Sequence, residues 1–268
     1  VHLIQTLIAA NIVPVISQLK VLSPQNAALD RLILDAATLA DSASLKSILA
    51  ELSDAVLDTS IEESRSAAAI SRLASFVEAW SRRAEHGLPP GSDAMRAIWK
   101  PAMDAAVRIV ESEGASTNLR AAAIRLVAEG PFLGEPHTES LAGLLTPRTP
   151  PVLQSAAVAA FRKDGSTRVA EVALSDWAGR EPRLRKELIA LLVSRPEWTK
   201  SLLNAMNDGT VSSAELDLSQ QQQLLDHSDE SIRTVAAKGF APRTSASRQQ
   251  VIDRYTAALT NSGDPGKG

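Results

Sequence analysis

The chain has 268 residues, with 28 Lys and Arg against 31 Asp and Glu, a formal charge of −3 and no cysteine. That balance argues against a general nucleic-acid binder, whose footprint is a basic excess. The lack of thiols excludes a disulfide framework and a thiolate site. With 44% hydrophobic but only 3% aromatic residues, the core must be built from Ala, Leu, Ile and Val, which favours closely stacked helices over a sheet or a cofactor-lined pocket.

Residue 1 is Val, which suggests a domain cut from a longer protein. Residues 1–19 are apolar, but no Lys or Arg precedes Lys20, while His2, Gln5 and Asn11 interrupt the run and Pro14 divides it. Two short helices explain it better than a signal peptide. No run approaches the roughly 20 apolar residues that span a bilayer, so no membrane insertion is expected.

Ser23-Pro24 starts the next helix with Pro at its first position, where the missing N–H costs nothing. Apolar stripes at helical spacing predict further helices over 42–57 and 61–84. Gly87-Leu88-Pro89-Pro90-Gly91-Ser92 is the strongest break in the first half, so residues 1–86 are read as N-terminal helical repeats and 92–261 as repeats continuous with them. A helix is expected over 93–113, kinked or divided at Pro101. Helices over 119–128, 135–145, 152–161, 169–178, 183–193, 196–207, 219–225 and 243–260 follow, with a short turn of helix from Ser213. Residues 262–268 read as a flexible linker to a following domain.

The most informative stretch is 224–240. Ser228 or Asp229 can cap the incoming helix, and Asp229 and Glu230 place negative charge at its positive end. Ile232, Val235, Ala236 and Phe240 form a buried stripe. Through Leu225-Asp226, Ile232-Arg233 and Ala236 the segment resembles a HEAT repeat, whose turn carries Asp and whose second helix begins with an aliphatic residue and Arg. The template Ile232-Arg233-x-x-Ala236 aligns with Leu184-Arg185-x-x-Leu188, Val152-Leu153-x-x-Ala156 and Leu119-Arg120-x-x-Ala123. The separations are 232−184 = 48, 184−152 = 32 and 152−119 = 33; the last two suit a helical-pair period. Residues 196–218 supply the extra length of the first. The expected fold is therefore an all-α, HEAT-like solenoid of stacked antiparallel hairpins.

No catalytic constellation assembles. His2, His86, His137 and His227 are scattered, with no i, i+4 pair to hold a metal. Glu135, His137 and Glu139 could be imagined as an acid/base group, but beside Pro136 they suit a helix start. Asp226, Ser228 and Glu230 imitate a calcium loop without its Gly or distal Glu. Trp80, Trp99, Trp177 and Trp198 are read mainly as core or ridge residues. Arg120, Arg185 and Arg233, with Asp226, mark one repeat position. They form either a ladder on an inner surface or, preferably, hydrogen bonds to turn carboxylates such as Asp226 in the repeat below.

Residues 200–268 carry a more specific likeness. Leu202-Leu203-Asn204-Ala205-Met206, the run from Gly209 to Leu216, residues 222–232 and 251–258, and Gly263-Asp-Pro-Gly-Lys-Gly268 resemble the helical-repeat region of planctomycete-type multidomain proteins. In that family the repeats precede a c-type haem domain, and a propeller related to glucose/sorbosone dehydrogenases commonly lies upstream. The resemblance implies an extracytoplasmic (periplasmic) electron-transfer protein in which this stretch is a non-catalytic spacer partnered by neighbouring domains. Haem would belong to a neighbouring domain, because this chain has no cysteine for a C-x-x-C-H attachment. The alternative is a free-standing adaptor that binds a protein or peptide.

Overall fold

The computed structural model describes residues 27–39, 42–83, 93–130, 132 and 136–240. The expected helices over 1–19 and 243–260, the start at Ser23-Pro24, the 87–92 break, Glu135 and the 262–268 linker lie outside the described residues. Every regular element among the described residues is helical.

The chain divides into two compact units between Val211 and Ser212. In the first unit, α1 (Ala27–Leu39), α2 (Ser42–Leu57), α3 (Glu63–Arg83) and α4 (Asp93–Glu111) are long. α4 runs unbroken through Pro101, so the expected division there does not occur. Pro101 is exposed, and the helix forfeits one internal hydrogen bond at its solvent face. Shorter helices follow: α5 (Thr117–Val127), α6 (Thr138–Ala142), α7 (Pro151–Asp164), α8 (Arg168–Leu174), α9 (Pro182–Leu192) and α10 (Pro196–Asn207).

Local chemistry sets these ends. Ser116 caps α5 by accepting from the Leu119 N–H, and Pro151, Pro182 and Pro196 each open a helix where their missing N–H is harmless. Gly165 ends α7 in the left-handed conformation at φ 72°. α8 stops at Leu174, short of the expected 178, because Asp176 is left-handed at φ 46° and starts the separate turn Trp177–Gly179.

Two series of contacts organise this unit. α1 packs on α3, α3 on α5, α5 on α7 and α7 on α9; independently, α2 packs on α4, α4 on α6, α6 on α8 and α8 on α10. Cross-contacts join α2 to α3, α4 to α5, α6 to α7, and α9 to both α8 and α10. Because α4 and α5 pack on α2 and α3, the helices on either side of the 87–92 break share one unit. The core between them holds Phe76, Trp80, Trp99, Met103, Phe161 and Trp198, all fully buried, among many Ala, Leu and Ile. Burial of this kind stabilises by about 25 cal/mol per Å² of apolar surface.

The described part of the second unit is a turn, Ser213–Glu215, followed by α11 (Leu218–Leu225) and α12 (Glu230–Phe240), which pack on each other. The turn and α11 each start with a capping box, Ser212 with Glu215 and Asp217 with Gln220.

Candidate functional site

Two of the three recurring arginines, Arg120 and Arg233, serve helix ends. Arg120 donates from Nε and Nη2 to the Val110 carbonyl, at 3.1 and 2.9 Å, closing the last turn of α4. Arg233 donates from Nη1 to the carbonyls of His227 and Ser228, at 2.6 and 2.9 Å, within its own hairpin. The Asp226 carboxylate instead accepts from Gln222 at 2.7 Å. Guanidinium groups are thus spent on backbone carbonyls left open where a helix ends, not on turn carboxylates. Arg185 is half-buried at the corresponding place in α9.

The same comparison corrects one repeat. Val152 is 55% exposed, whereas Leu153 and Ala157 are fully buried, so the unit in α7 is Leu153-Gln154-x-x-Ala157, one residue later than expected. Its phase is set by Pro150, whose carbonyl accepts from the N–H groups of Leu153 and Gln154. The corrected separations are 153−119 = 34 and 184−153 = 31. Gln154 then occupies the arginine position and donates to the Thr146 carbonyl at 2.7 Å.

Elsewhere the imagined sites do not converge. Half-buried His137 precedes α6, its pKa pushed down by burial and by Lys100 and only partly restored by Asp104 and Glu111. Glu139 pairs with Arg168 at 2.7 Å, and Thr138 hydrogen-bonds Asp164. At the other hairpin His227 Nδ1 accepts from the Asp229 N–H at 3.0 Å, and Asp229 caps α12 by accepting from the Ser231 N–H at 2.8 Å. Among the described residues no three His, Asp or Glu side chains are grouped to hold a metal ion. The four tryptophans are all buried. Trp198 donates to the Ser166 carbonyl at 2.8 Å beneath the Arg195 guanidinium, and Trp80 meets Phe132 edge to face at 5.4 Å.

What sequence reasoning missed is a groove of about 940 Å³ lined by α3 and by its neighbours α1 and α5. Ala67, Ala68, Ser71 and Ser75 of α3 leave it open because their side chains are short. Asp30 on α1 pairs with Arg72 on α3 at 2.8 Å. Glu63 at the start of α3 accepts from the Ser116 N–H at 2.8 Å, where the α5 dipole favours an anion. At the far end Arg125 of α5 touches Ser75 Oγ at 3.3 Å. The lining mixes three helices and no single spacing encodes it.

A second polar cluster lies about one turn beyond Ser75 and Arg125. Lys163 of α7 hydrogen-bonds Glu129, just past α5, and lies 3.5 Å from Glu78 of α3. Burial pushes the Glu129 carboxyl above its ordinary range, partly opposed by Lys163. Burial acts on Glu78 too, but Lys163 and Arg82 outweigh it and hold that pKa low. The cluster can join three helices, and its residues do not line the groove.

No family model matches the chain, and the searches of curated proteins and solved structures found no match to it. No described helix is long and apolar enough to cross a membrane.

Proposed function

We propose that the chain is a non-catalytic, HEAT-like helical-repeat scaffold whose task is to hold what it joins at a fixed distance. The observation that carries this reading is the double series of contacts, α1 to α9 along odd-numbered helices and α2 to α10 along even-numbered ones. Elements that each pack on the next but one bury a continuous core while propagating in one direction, which makes a stiffer spacer than a flexible linker. Donors near the starts of α5, α7 and α10, tied to carbonyls at or just past the preceding helix end, add to that stiffness.

In its fuller form, drawn from the resemblance over residues 200–268, the scaffold joins a dehydrogenase-like propeller to a c-type haem domain in an extracytoplasmic electron-transfer protein. The residues that follow Gly268 test that part: a C-x-x-C-H motif within about 20 residues supports it, and its absence removes it. Stiffness is tested separately. The chain has no cysteine, so Arg31→Cys on α1 with Asn204→Cys on α10, both exposed, accept two spin labels alone. Pulsed dipolar spectroscopy should give one narrow distance distribution, and a broad one would refute a rigid spacer.

A second reading, a free-standing adaptor for a protein or peptide, is favoured by the groove between α1, α3 and α5. Of the exposed large apolar residues Leu34 lines that groove, whereas Val152 and Leu218 lie on other helices far apart in sequence.

A further inference from the structure

We propose that the groove along α3 binds an extended peptide segment and holds one of its carboxylates on Arg125. The inference rests on the helix packing that shapes the groove, which both readings of the function share. Its length suits such an occupant. The lining runs from Glu63 to Ser75, about 18 Å along the helix axis, or about five or six residues of extended chain. Ala67, Ala68 and Ser71 present only short side chains, and the long one beside them, Arg72, is held by Asp30, so a main chain can approach α3 closely. Hydroxyls of Ser71 and Ser75 lie along it as hydrogen-bonding partners for peptide groups.

Charge selects the occupant. Both acids in the lining are already matched, Asp30 by Arg72 and Glu63 by the Ser116 N–H. Arg125 is exposed, touches Ser75 Oγ at 3.3 Å and pulls on buried Glu129 only through space, since none of the ion pairs among the described residues involves it. Glu129, four residues on, is buried and engaged by Lys163. One end of the groove therefore presents a guanidinium fork with no carboxylate in direct contact, a geometry made for Asp, Glu or a chain terminus. A polyphosphate or lipid surface would ask for several unmatched cations, and Asp30 and Glu63 in the lining would repel it.

The test is selection of a displayed library of linear eight-residue peptides on the full 268-residue chain. Enriched peptides should carry Asp or Glu and bind Arg125→Glu about tenfold more weakly, while Arg125→Lys, which keeps the charge but not the fork, loses less than Arg125→Glu and Ser71→Trp, which fills the floor, abolishes binding. Arg125 and its substitutes lie at the surface, so circular dichroism of Arg125→Glu should match the parent and separate lost binding from lost folding. Failure to enrich, enrichment without acidic preference, or equal binding to Arg125→Glu overturns the proposal. Self-association that Arg125→Glu abolishes in sedimentation also overturns it, in favour of a second copy of this chain. A narrow spin-label distance would leave the scaffold reading standing in each of those cases.

Discussion

At the scale of single residues, the repeat position expected to bond turn carboxylates instead closes helix ends through backbone carbonyls at α5, α7 and α12. Ser116, Pro150 and Asp229 each offer a backbone carbonyl to the N–H four residues on, and that fourth residue, Arg120, Gln154 or Arg233, reaches back to a carbonyl near the preceding helix end. Thr199 does the same at α10, donating to the Leu192 carbonyl at 3.1 Å. The chemistry needs a donor of the right reach, not a positive charge. Arg120→Ala should therefore cost about 1–2 kcal/mol by leaving the Val110 carbonyl without a protein donor, and Arg120→Gln clearly less. Urea unfolding midpoints of the two variants decide it; equal losses would mean that the charge matters after all. Sequence reading found this position where Arg marked it and slipped by one residue in α7, where Val152-Leu153 offers two apolar residues in a row and Gln154 carries no charge to fix the phase.

At the scale of helices, buried polar groups tie neighbours at their ends. Arg180, largely buried, donates to the carbonyls of Leu145, Val172 and Ser175 at 3.1, 2.8 and 2.9 Å, fastening the end of α8 to the segment after α6. Lys163 serves α3, α5 and α7 in the same way, but through two carboxylates of opposite behaviour. Glu129, raised on folding, favours the folded state while protonated and loses that contribution as pH climbs through its folded pKa. Glu78, lowered on folding, contributes above the ordinary Glu value and loses it as pH falls. Glu129→Gln removes only the first contribution. The parent protein should accordingly lose stability relative to Glu129→Gln as pH rises from about 4 to 7. Urea midpoints measured across that range give the slope directly, and a flat or reversed difference would show that Lys163 fully offsets the burial of Glu129. None of this was legible beforehand, because Glu78, Glu129 and Lys163 lie on three elements far apart in sequence and only packing brings them together.

At the scale of the whole molecule, helix content was readable from apolar spacing, and most helix starts from Ser, Asp and Pro, since those signals are local. The division into two units was not, because it depends on which helices share a core. The sequence break at 87–92 is conspicuous, yet packing of α4 and α5 on α2 and α3 crosses it, whereas the division falls at Val211–Ser212, with no comparable run of Gly and Pro. Burial differs sharply between the units. α9 alone buries Leu184, Leu188, Ile189, Leu191 and Leu192, while α11 and α12 together bury Leu224, Ile232 and Ala236. Local opening free energy follows the apolar surface that opening exposes, so the second hairpin should open well before the first unit unfolds. Hydrogen exchange read by mass spectrometry should give amides of α11 and α12 protection about tenfold or more below that of α5, α7 and α9. Equal protection across the boundary would mean that the chain unfolds as a single cooperative body, and the two units would then not be independent in stability.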